Sequence, residues 1–133
     1  MRDKAIIFDI DGTAIDSPKQ KSASKKLIDA IEELKNSYYL SAATGRVWSF
    51  AKPVLQSLKL SDPCIISAGT QICNPITGEI LWQKTLEDET VQEALQIFKG
   101  YPKYRVLYND ATEEDYFSGG DYPENVVIDE QVY

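Results

Sequence analysis

One stretch near the N-terminus constrains the fold of this chain more than any other. The apolar residues Ala5–Phe8 lead directly into Asp9-Ile10-Asp11-Gly12-Thr13. A continuous apolar run bounded by a turn is typical of a strand that is covered on both faces, as in a parallel α/β sheet. Such sheets bind their ligands in the crevice outside the carboxyl ends of the strands. We therefore expect Asp9 and Asp11 to approach one ligand from two angles.

Two other interpretations of this acidic pair start from the same residues. The stretch can be no more than a turn, because Asp and Gly both favour turns. A calcium-binding loop would need oxygen ligands at alternate positions, followed by Gly and Glu at fixed later positions. Here Gly12 comes too early and Thr13 follows it, which excludes the calcium loop.

A second polar turn follows the next predicted strand. Ser24 is a plausible N-cap for a helix with an apolar stripe, and Tyr38–Ala43 then reads as a strand. This βαβ unit places the ends of its two strands side by side. The second strand ends in Thr44-Gly45-Arg46, so we expect this tripeptide to lie near Asp9.

These two motifs resemble those of the haloacid-dehalogenase-like (HAD) phosphatase superfamily, whose first signature is a hydrophobic run followed by Asp-x-Asp-Gly-Thr. The resemblance implies that Asp9 is the nucleophile and Asp11 the general acid/base. It implies a phosphoryl site formed by Gly12, Thr44 and Gly45. It also implies Mg²⁺ as cofactor, bound by the Asp9 carboxylate and the Asp11 backbone carbonyl.

Elementary chemistry agrees with this resemblance. A carboxylate can attack phosphorus to form an aspartyl phosphate, and a second carboxylate can protonate the departing alkoxide. Gly12 lets the backbone come close to the phosphoryl group, where N–H donors can hold its oxygens. Arg46 has two possible roles, which are substrate contact and an ion pair with an acidic neighbour.

Further elements complete an α/β pattern. Val47–Leu60 is predicted to be a helix that either kinks at Pro53 or begins near Lys52. Cys64–Ser67 is a third strand, and Gln71–Cys73 forms a hairpin with Ile80–Gln83.

The order of strand, glycine and hairpin resembles the C2-capped, Cof-like branch of the superfamily. Ala68-Gly69-Thr70 is similar to the pattern of the sucrose-phosphatase-like group, which implies a sugar phosphate or a similar small metabolite as substrate. The implied fold is α/β: the N-terminal half of a Rossmann-like parallel-sheet core over residues 1–83, with the start of an α+β C2-type cap over residues 84–133. In the second part we expect a helix at Glu87–Lys99 and a strand at Tyr104–Asn109. A polar loop at Asp110–Asn125 and a short strand at Val126–Ile128 follow.

Two parts of the family pattern have no counterpart in this sequence. The family also has a downstream Lys and an acidic pair after a later core strand. Gly120–Asn125 superficially resembles that acidic pair, but Glu113–Ser118 before it does not read as a buried strand. We therefore expect the chain to represent the N-terminal portion of such an enzyme and to be inactive by itself. A catalytically incomplete phosphate-binding or regulatory module is the alternative. A phospho-accepting receiver domain is disfavoured, because no Asp ends the Cys64–Ser67 strand.

Composition limits the remaining classes. The net charge of −7 argues against nucleic-acid binding, and it means that a phosphorylated substrate needs a cation at the site. With no His in the chain, serine triads and histidine-based zinc sites are excluded. No apolar run is long enough for a membrane span and no signal peptide is recognisable, so we expect a cytoplasmic protein. The family resemblance implies that its partner is a small phosphorylated metabolite. Without later core strands the first strand would be a sheet edge, for which we expect self-association.

Overall fold

The computed structural model describes residues 2–17, 19–100, 106–109 and 115–118, and strands and helices alternate along its first part. In chain order the elements are β1 (Ala5–Phe8), α1 (Lys25–Leu34), β2 (Tyr39–Ala42), α2 (Trp48–Ser57), β3 (Cys64–Ile66), a short 3₁₀ turn (Ser67–Gly69), β4 (Gln71–Cys73), β5 (Ile80–Gln83), α3 (Asp88–Lys99), β6 (Val106–Asn109) and β7 (Asp115–Ser118). The chain divides into two compact units, Met1–Lys84 and Thr85–Tyr133.

Parallel pairing organises the start of the first unit. Strands β1 and β2 run parallel in a register that begins at Ala5 opposite Tyr39, and an isolated parallel bridge joins Ala43 to Ile65 of β3. Strands β3, β4 and β5 then pair antiparallel to one another. Because a helix separates β1 from β2 and another separates β2 from β3, the predicted α/β fold with a parallel sheet is confirmed.

Helix α1 forms for the reasons that its sequence suggests. The Ser24 hydroxyl accepts a hydrogen bond from the Leu27 N–H at 3.3 Å, which satisfies one of the free donors of the first turn. Apolar residues recur every three or four positions, so they share one face of the helix. From that face Ile31 is buried in the core.

Helix α2 settles the question raised by Pro53. The helix begins at Trp48 and continues through Pro53 to Ser57, so of the two alternatives that the sequence left open, a start near Lys52 is excluded. Proline has no N–H to donate to the preceding turn, but packing outweighs this loss. Ala51, Val54 and Leu55 of this helix have no exposed surface at all.

The core lies where the two helices meet the sheet. Its buried apolar residues are Ile10, Ala14, Ile15, Ala23, Ile31, Leu40, Ala42, Ala51, Val54, Leu55, Leu58, Leu60, Cys64, Ile66 and Cys73. Members come from β2, β3, β4, both helices and the turn after β1, so one cluster connects every layer of the first unit. The turn that carries Asp9 and Asp11 is thereby anchored to the core through Ile10 and Ile15.

Both cysteines are core residues. Cys64 and Cys73 lie directly opposite each other on β3 and β4, and both are fully buried free thiols. Burial raises the pKa of Cys64, and it raises the pKa of Cys73 to about 11. Both groups are therefore neutral thiols near neutral pH, which suits packing rather than nucleophilic chemistry. The predicted packing role of Cys64 agrees with this position.

The second unit departs from the sequence-based expectation in one place. Helix α3 starts after Glu87 and is capped by Gly100, as predicted. The supposed polar loop at Asp110–Asn125 contains a strand, since β7 pairs antiparallel with β6. The prediction of a continuous loop is wrong because Asp115-Tyr116-Phe117-Ser118 carries two aromatic residues, which favour strands. The predictions for Val126–Ile128 and Gly120–Asn125 fall outside the described residues.

The length and polarity of each helix determine whether it could span a membrane. Throughout the part of the chain that the structure describes, each helix is too short or too polar to span a bilayer.

Asp62 supports the end of the sheet opposite the carboxyl ends of β1 and β2. It is 9% exposed, and its Oδ2 accepts hydrogen bonds from the Leu40 N–H at 2.9 Å and from Arg2 Nη1 at 2.8 Å. We expect Asp62→Ala to lower the free energy of unfolding by about 1–3 kcal/mol, because a buried backbone donor loses its acceptor. Urea denaturation measures the change.

The chain offers a matched control for this prediction. Asp29 forms an ion pair with Lys25 at the same 2.8 Å, but its side chain is 55% exposed. Solvent screens such a pair, so Asp29→Ala should cost about 0.5 kcal/mol or less. Equal losses for the two variants would show that burial of Asp62 does not decide its contribution.

Strand β1 is an edge within the described part of the chain, where it pairs only with β2. Its residues Ile6 and Ile7 are 37% and 57% exposed, so among the described residues the prediction of a strand covered on both faces is wrong for β1. An apolar strand with unpaired N–H and C=O groups is a template for another chain, so we expect a polypeptide of residues 1–133 to self-associate. Light scattering measures this association.

Lysine substitutions distinguish self-association through the edge of β1 from self-association through exposed apolar residues in general. Ile7→Lys should reduce association, because charged side chains protect strand edges. Ile76→Lys is the control, since Ile76 is 62% exposed but lies in the turn between β4 and β5. A monodisperse monomer before substitution, or equal effects of the two variants, would contradict the role of β1.

Candidate active site

The carboxyl ends of the first strands meet at one edge of the sheet. Phe8 lies opposite Ala42, and the Ala43 N–H donates to the Phe8 carbonyl at 2.9 Å. The Thr44 N–H donates to the Ile65 carbonyl at 3.0 Å, which ties the end of β2 to β3. Asp9 and Thr44 therefore leave the sheet at the same edge, as the βαβ pattern predicts.

The turn after β1 exposes the Asp9 side chain, while the backbone of the turn is anchored in the core. The side chain of Asp9 is exposed, and its Oδ1 accepts the Ile10 N–H at 2.8 Å. Ile10 is fully buried, and its carbonyl accepts hydrogen bonds from the next turn of backbone, including the Ala14 N–H at 2.9 Å. The carboxylate of Asp9 is thus open to a ligand while its backbone is held by the core.

Gly12 gives this turn its shape. Its φ is +74°, in the left-handed region that favours glycine, and no atom lies within 4 Å of the position that a Cβ would take. Its conformation is therefore the reason for the glycine, rather than crowding. The Gly12 N–H donates to the Ile15 carbonyl at 2.8 Å, so in this conformation that donor serves the turn. The phosphate-binding role of Gly12 stays a prediction.

The loop after β2 contributes a hydroxyl and an exposed glycine. Thr44 is 5% exposed, and its Oγ1 accepts the Arg46 N–H at 3.2 Å. Because a hydroxyl both accepts and donates, this bond leaves the Thr44 hydrogen available for an anion. Gly45 is exposed, with no atom within 4 Å of a Cβ position. The family resemblance implies that both residues belong to a phosphoryl site, which stays a prediction, and the structure brings them to the edge that carries Asp9.

Arg46 forms an ion pair with Asp11. Its Nη2 lies 2.6 Å from Asp11 Oδ1, and its Nε lies 2.9 Å from Asp11 Oδ2. The Arg46 side chain is 5% exposed and that of Asp11 is 33% exposed. Of the two roles that the sequence left open for Arg46, the structure shows the ion pair. The bidentate contact also joins the turn after β1 to the loop after β2.

The turn after β3 is a part of this edge that sequence reasoning missed. Ser67 and Ala68 have φ values of +52° and +53°, which is strained for residues other than glycine. The Ser67 N–H donates to the Arg46 carbonyl at 2.8 Å, and the Ala68 N–H donates to the Thr44 carbonyl at 3.3 Å. Through these two hydrogen bonds the turn holds the backbone of the Thr44–Arg46 loop in place. Gly69 was the only sequence signal for it.

The oxygen atoms at this edge determine which metal ion could bind there. Among the described residues no three or more Asp, Glu, Cys or His side chains are grouped in a way that could hold a metal. Mg²⁺ is commonly bound by one or two carboxylates, with water and substrate phosphate completing its shell. Asp9, with its exposed carboxylate, and Asp11, two residues later on the same turn, fit such a partial set.

The family model for haloacid dehalogenase-like hydrolases matches residues 6–123. The chain belongs to the haloacid dehalogenase-like hydrolase family. No curated protein matches the chain significantly.

Solved structures resemble the fold closely. A hypothetical protein from Geobacillus kaustophilus is 28% identical with a TM-score of 0.73, and the match covers 92% of this chain and 45% of that one. A protein from Bacteroides thetaiotaomicron, described among phosphatases of the HAD superfamily, is 16% identical with a TM-score of 0.70, covering 87% and 41%. A subclass IIB sugar phosphatase is 21% identical with a TM-score of 0.65, covering 86% and 43%.

All three of these solved structures are longer than this chain. The chain spans less than half of each of the solved structures named above. Their likeness therefore concerns the fold of the portion that this chain contains.

Proposed function

We propose that this chain is part of a Mg²⁺-dependent phosphomonoester hydrolase that works through a phosphorylated Asp9. One observation carries the proposal. The exposed carboxylate of Asp9 stands at the carboxyl end of β1, on a turn that the Asp11–Arg46 ion pair joins to the Thr44 loop. A nucleophile, a second carboxylate and a hydroxyl donor thus share one edge of a sheet in a family of hydrolases.

The first step transfers the phosphoryl group to the protein. An Asp9 carboxylate oxygen attacks phosphorus, and the bond from phosphorus to the leaving oxygen breaks. For this step Asp11 must be protonated and released from one of its two bonds to Arg46; it then gives its proton to that oxygen, so an alcohol leaves rather than an alkoxide. The Thr44 hydroxyl donates to a phosphoryl oxygen and holds the group in line with Asp9.

The second step releases phosphate. Asp11, now a carboxylate, takes a proton from a water molecule that attacks phosphorus. The bond between phosphorus and Asp9 breaks, which returns the Asp9 carboxylate and leaves inorganic phosphate. Two moderate barriers replace one high barrier, which is the advantage of a covalent intermediate.

Mg²⁺ fits the charge of this site. The protein carries a net charge of −7, and a phosphate monoester would add negative charge beside Asp9. The Asp9 carboxylate and the Asp11 backbone carbonyl would hold the ion, which would supply the positive charge that phosphoryl transfer requires. Positioning of Asp9, Asp11 and Thr44 is then the contribution of this chain.

A sugar phosphate or a similar small metabolite is the proposed substrate. One of the structural matches is described as a sugar phosphatase, and Ala68-Gly69-Thr70 is similar to the sucrose-phosphatase-like pattern. In the same proposal, residues 1–83 form part of the catalytic core, residues 84–133 begin a C2-type cap, and the protein acts in the cytoplasm.

Trapping the intermediate tests the proposal. The complete enzyme, of which this chain is proposed to be a part, is mixed with a ³²P-labelled phosphate monoester and Mg²⁺ and quenched in acid. We expect label on the protein that hydroxylamine removes, because an acyl phosphate reacts with that nucleophile, and we expect phosphate to be released in parallel. Binding of phosphate without label or release would instead support the regulatory module.

A further inference from the structure

Asp9 and Asp11 carry the same charge on one turn, but their surroundings differ. Asp9 is exposed, and its Oδ1 accepts one backbone hydrogen bond. Both oxygens of Asp11 are engaged by Arg46, at 2.6 and 2.9 Å. A carboxylate in such a bidentate contact can bind a cation only after it gives up one of these charge-assisted bonds.

The guanidinium of Arg46 is the fixed partner in this contact. Its side chain is 5% exposed, and Nη1 donates to the Phe50 carbonyl of α2 at 3.1 Å. The backbone of Arg46 is held as well, because its N–H donates to Thr44 Oγ1 and its carbonyl accepts from the Ser67 N–H. Asp11, at 33% exposure, is the partner with more freedom.

This arrangement separates the tasks of the two carboxylates. Mg²⁺ readily takes a free carboxylate oxygen, so an unrestrained Asp11 would compete for the ion that Asp9 should hold. An Asp11 side chain bound to the metal could no longer exchange a proton with substrate or water. A nearby cation of fixed geometry prevents this competition.

We propose that Arg46 is a positioning residue that keeps the Asp11 carboxylate out of the metal's coordination shell. Asp9 and the Asp11 backbone carbonyl would then hold Mg²⁺, while the Asp11 side chain stays outside the shell and can exchange a proton once it releases one of its two bonds to Arg46. This role rests on the proposed function and adds a residue that the function by itself does not require.

Calorimetric titration with Mg²⁺, in the absence of substrate, tests the role. Arg46→Gln and Arg46→Lys should both tighten Mg²⁺ binding, the first by about tenfold, because the Asp11 carboxylate becomes free to join the shell and affinity rises with the number of charged ligands. In the same variants kcat should fall while KM changes little. A merely structural defect would weaken metal binding instead.

The lysine variant and a double variant exclude a simple charge effect. Lysine keeps the positive charge but has no planar fork that holds both oxygens, so tighter binding by Arg46→Lys cannot come from lost repulsion. Lysine also keeps a cation beside Asp11 if Arg46→Gln fails to fold. When Asp11→Asn is already present, Arg46→Gln should change Mg²⁺ affinity little, because the carboxylate that it would release is gone.

Failure of this inference can be told apart from failure of the proposed function. Wild-type affinity in Arg46→Lys, or equal tightening by Arg46→Gln with and without the Asp11 carboxylate, overturns the role of Arg46 even if the protein hydrolyses phosphate esters. A complete wild-type enzyme that neither binds Mg²⁺ nor hydrolyses any phosphate monoester contradicts both proposals.

Discussion

In the complete enzyme of which this chain is proposed to be a part, Asp9→Asn is expected to reduce phosphate-ester hydrolysis by about 10⁴-fold or more, as loss of a catalytic nucleophile does in other enzymes. The amide has nearly the shape of the carboxylate but is a far weaker nucleophile toward phosphorus. Asp9 is exposed and forms one side-chain hydrogen bond, to the neighbouring Ile10 N–H. An amide oxygen can accept that bond, so the fold should survive. Steady-state hydrolysis and the acid-quench experiment measure the loss of turnover and of protein-bound label.

Asp16→Asn is the matched control for this prediction. Asp16 is also an exposed aspartate of the segment after β1, but it lies beyond the buried Ile15. It should retain wild-type turnover, and both variants should show the wild-type melting temperature. Wild-type rates in Asp9→Asn would exclude Asp9 as the nucleophile.

Asp11→Asn is expected to have an effect that depends on the leaving group. General acid catalysis contributes about 10²–10⁴-fold, and it matters most when a basic alkoxide must leave. We therefore expect a loss of that size with an alkyl phosphate such as a sugar phosphate. With p-nitrophenyl phosphate the formation of phospho-Asp9 should be much less affected, since nitrophenolate leaves without a proton.

Burst kinetics separate the two steps for Asp11→Asn. With p-nitrophenyl phosphate we expect a burst of nitrophenolate followed by slow turnover, because the water of the second step has lost its base. A uniform loss with both substrates and no burst would indicate that Asp11 acts only through its contact with Arg46. Thermal denaturation serves as a check, because the substitution removes the negative charge beside a guanidinium that is 5% exposed.

Local patterns were sufficient to predict the elements of the first unit. Ser24 was correctly predicted as an N-cap, because a hydroxyl before an apolar stripe satisfies the free N–H groups of the first turn. Pro53 was harder, because its local preference favours a helix start. The burial of Ala51, Val54 and Leu55 outweighs that preference, and burial is a property of the assembled core.

The sequence predicted that Asp9 and Thr44 lie at the candidate site, but it did not predict the contacts that support them. The positions of Asp9 and Thr44 at one edge follow from the βαβ order, since parallel strands joined by a helix end at the same side of the sheet. The supporting turn at Ser67 and Ala68 was not predicted, because left-handed conformations at non-glycine residues have no clear sequence signal. Strand β7 was missed because an aromatic pair within a polar stretch is a short signal.

By itself the sequence determined the order of strands and helices, the strand-terminal aspartates and the family to which they point. These features depend on residues that are close along the chain, where periodicity, caps and turns act. Only the tertiary structure decided that Arg46 binds Asp11 across 35 positions, and that Asp62 joins Arg2 to the backbone of Leu40. A long charged side chain can reach several partners, and packing of the helices against the sheet selects the one that it meets.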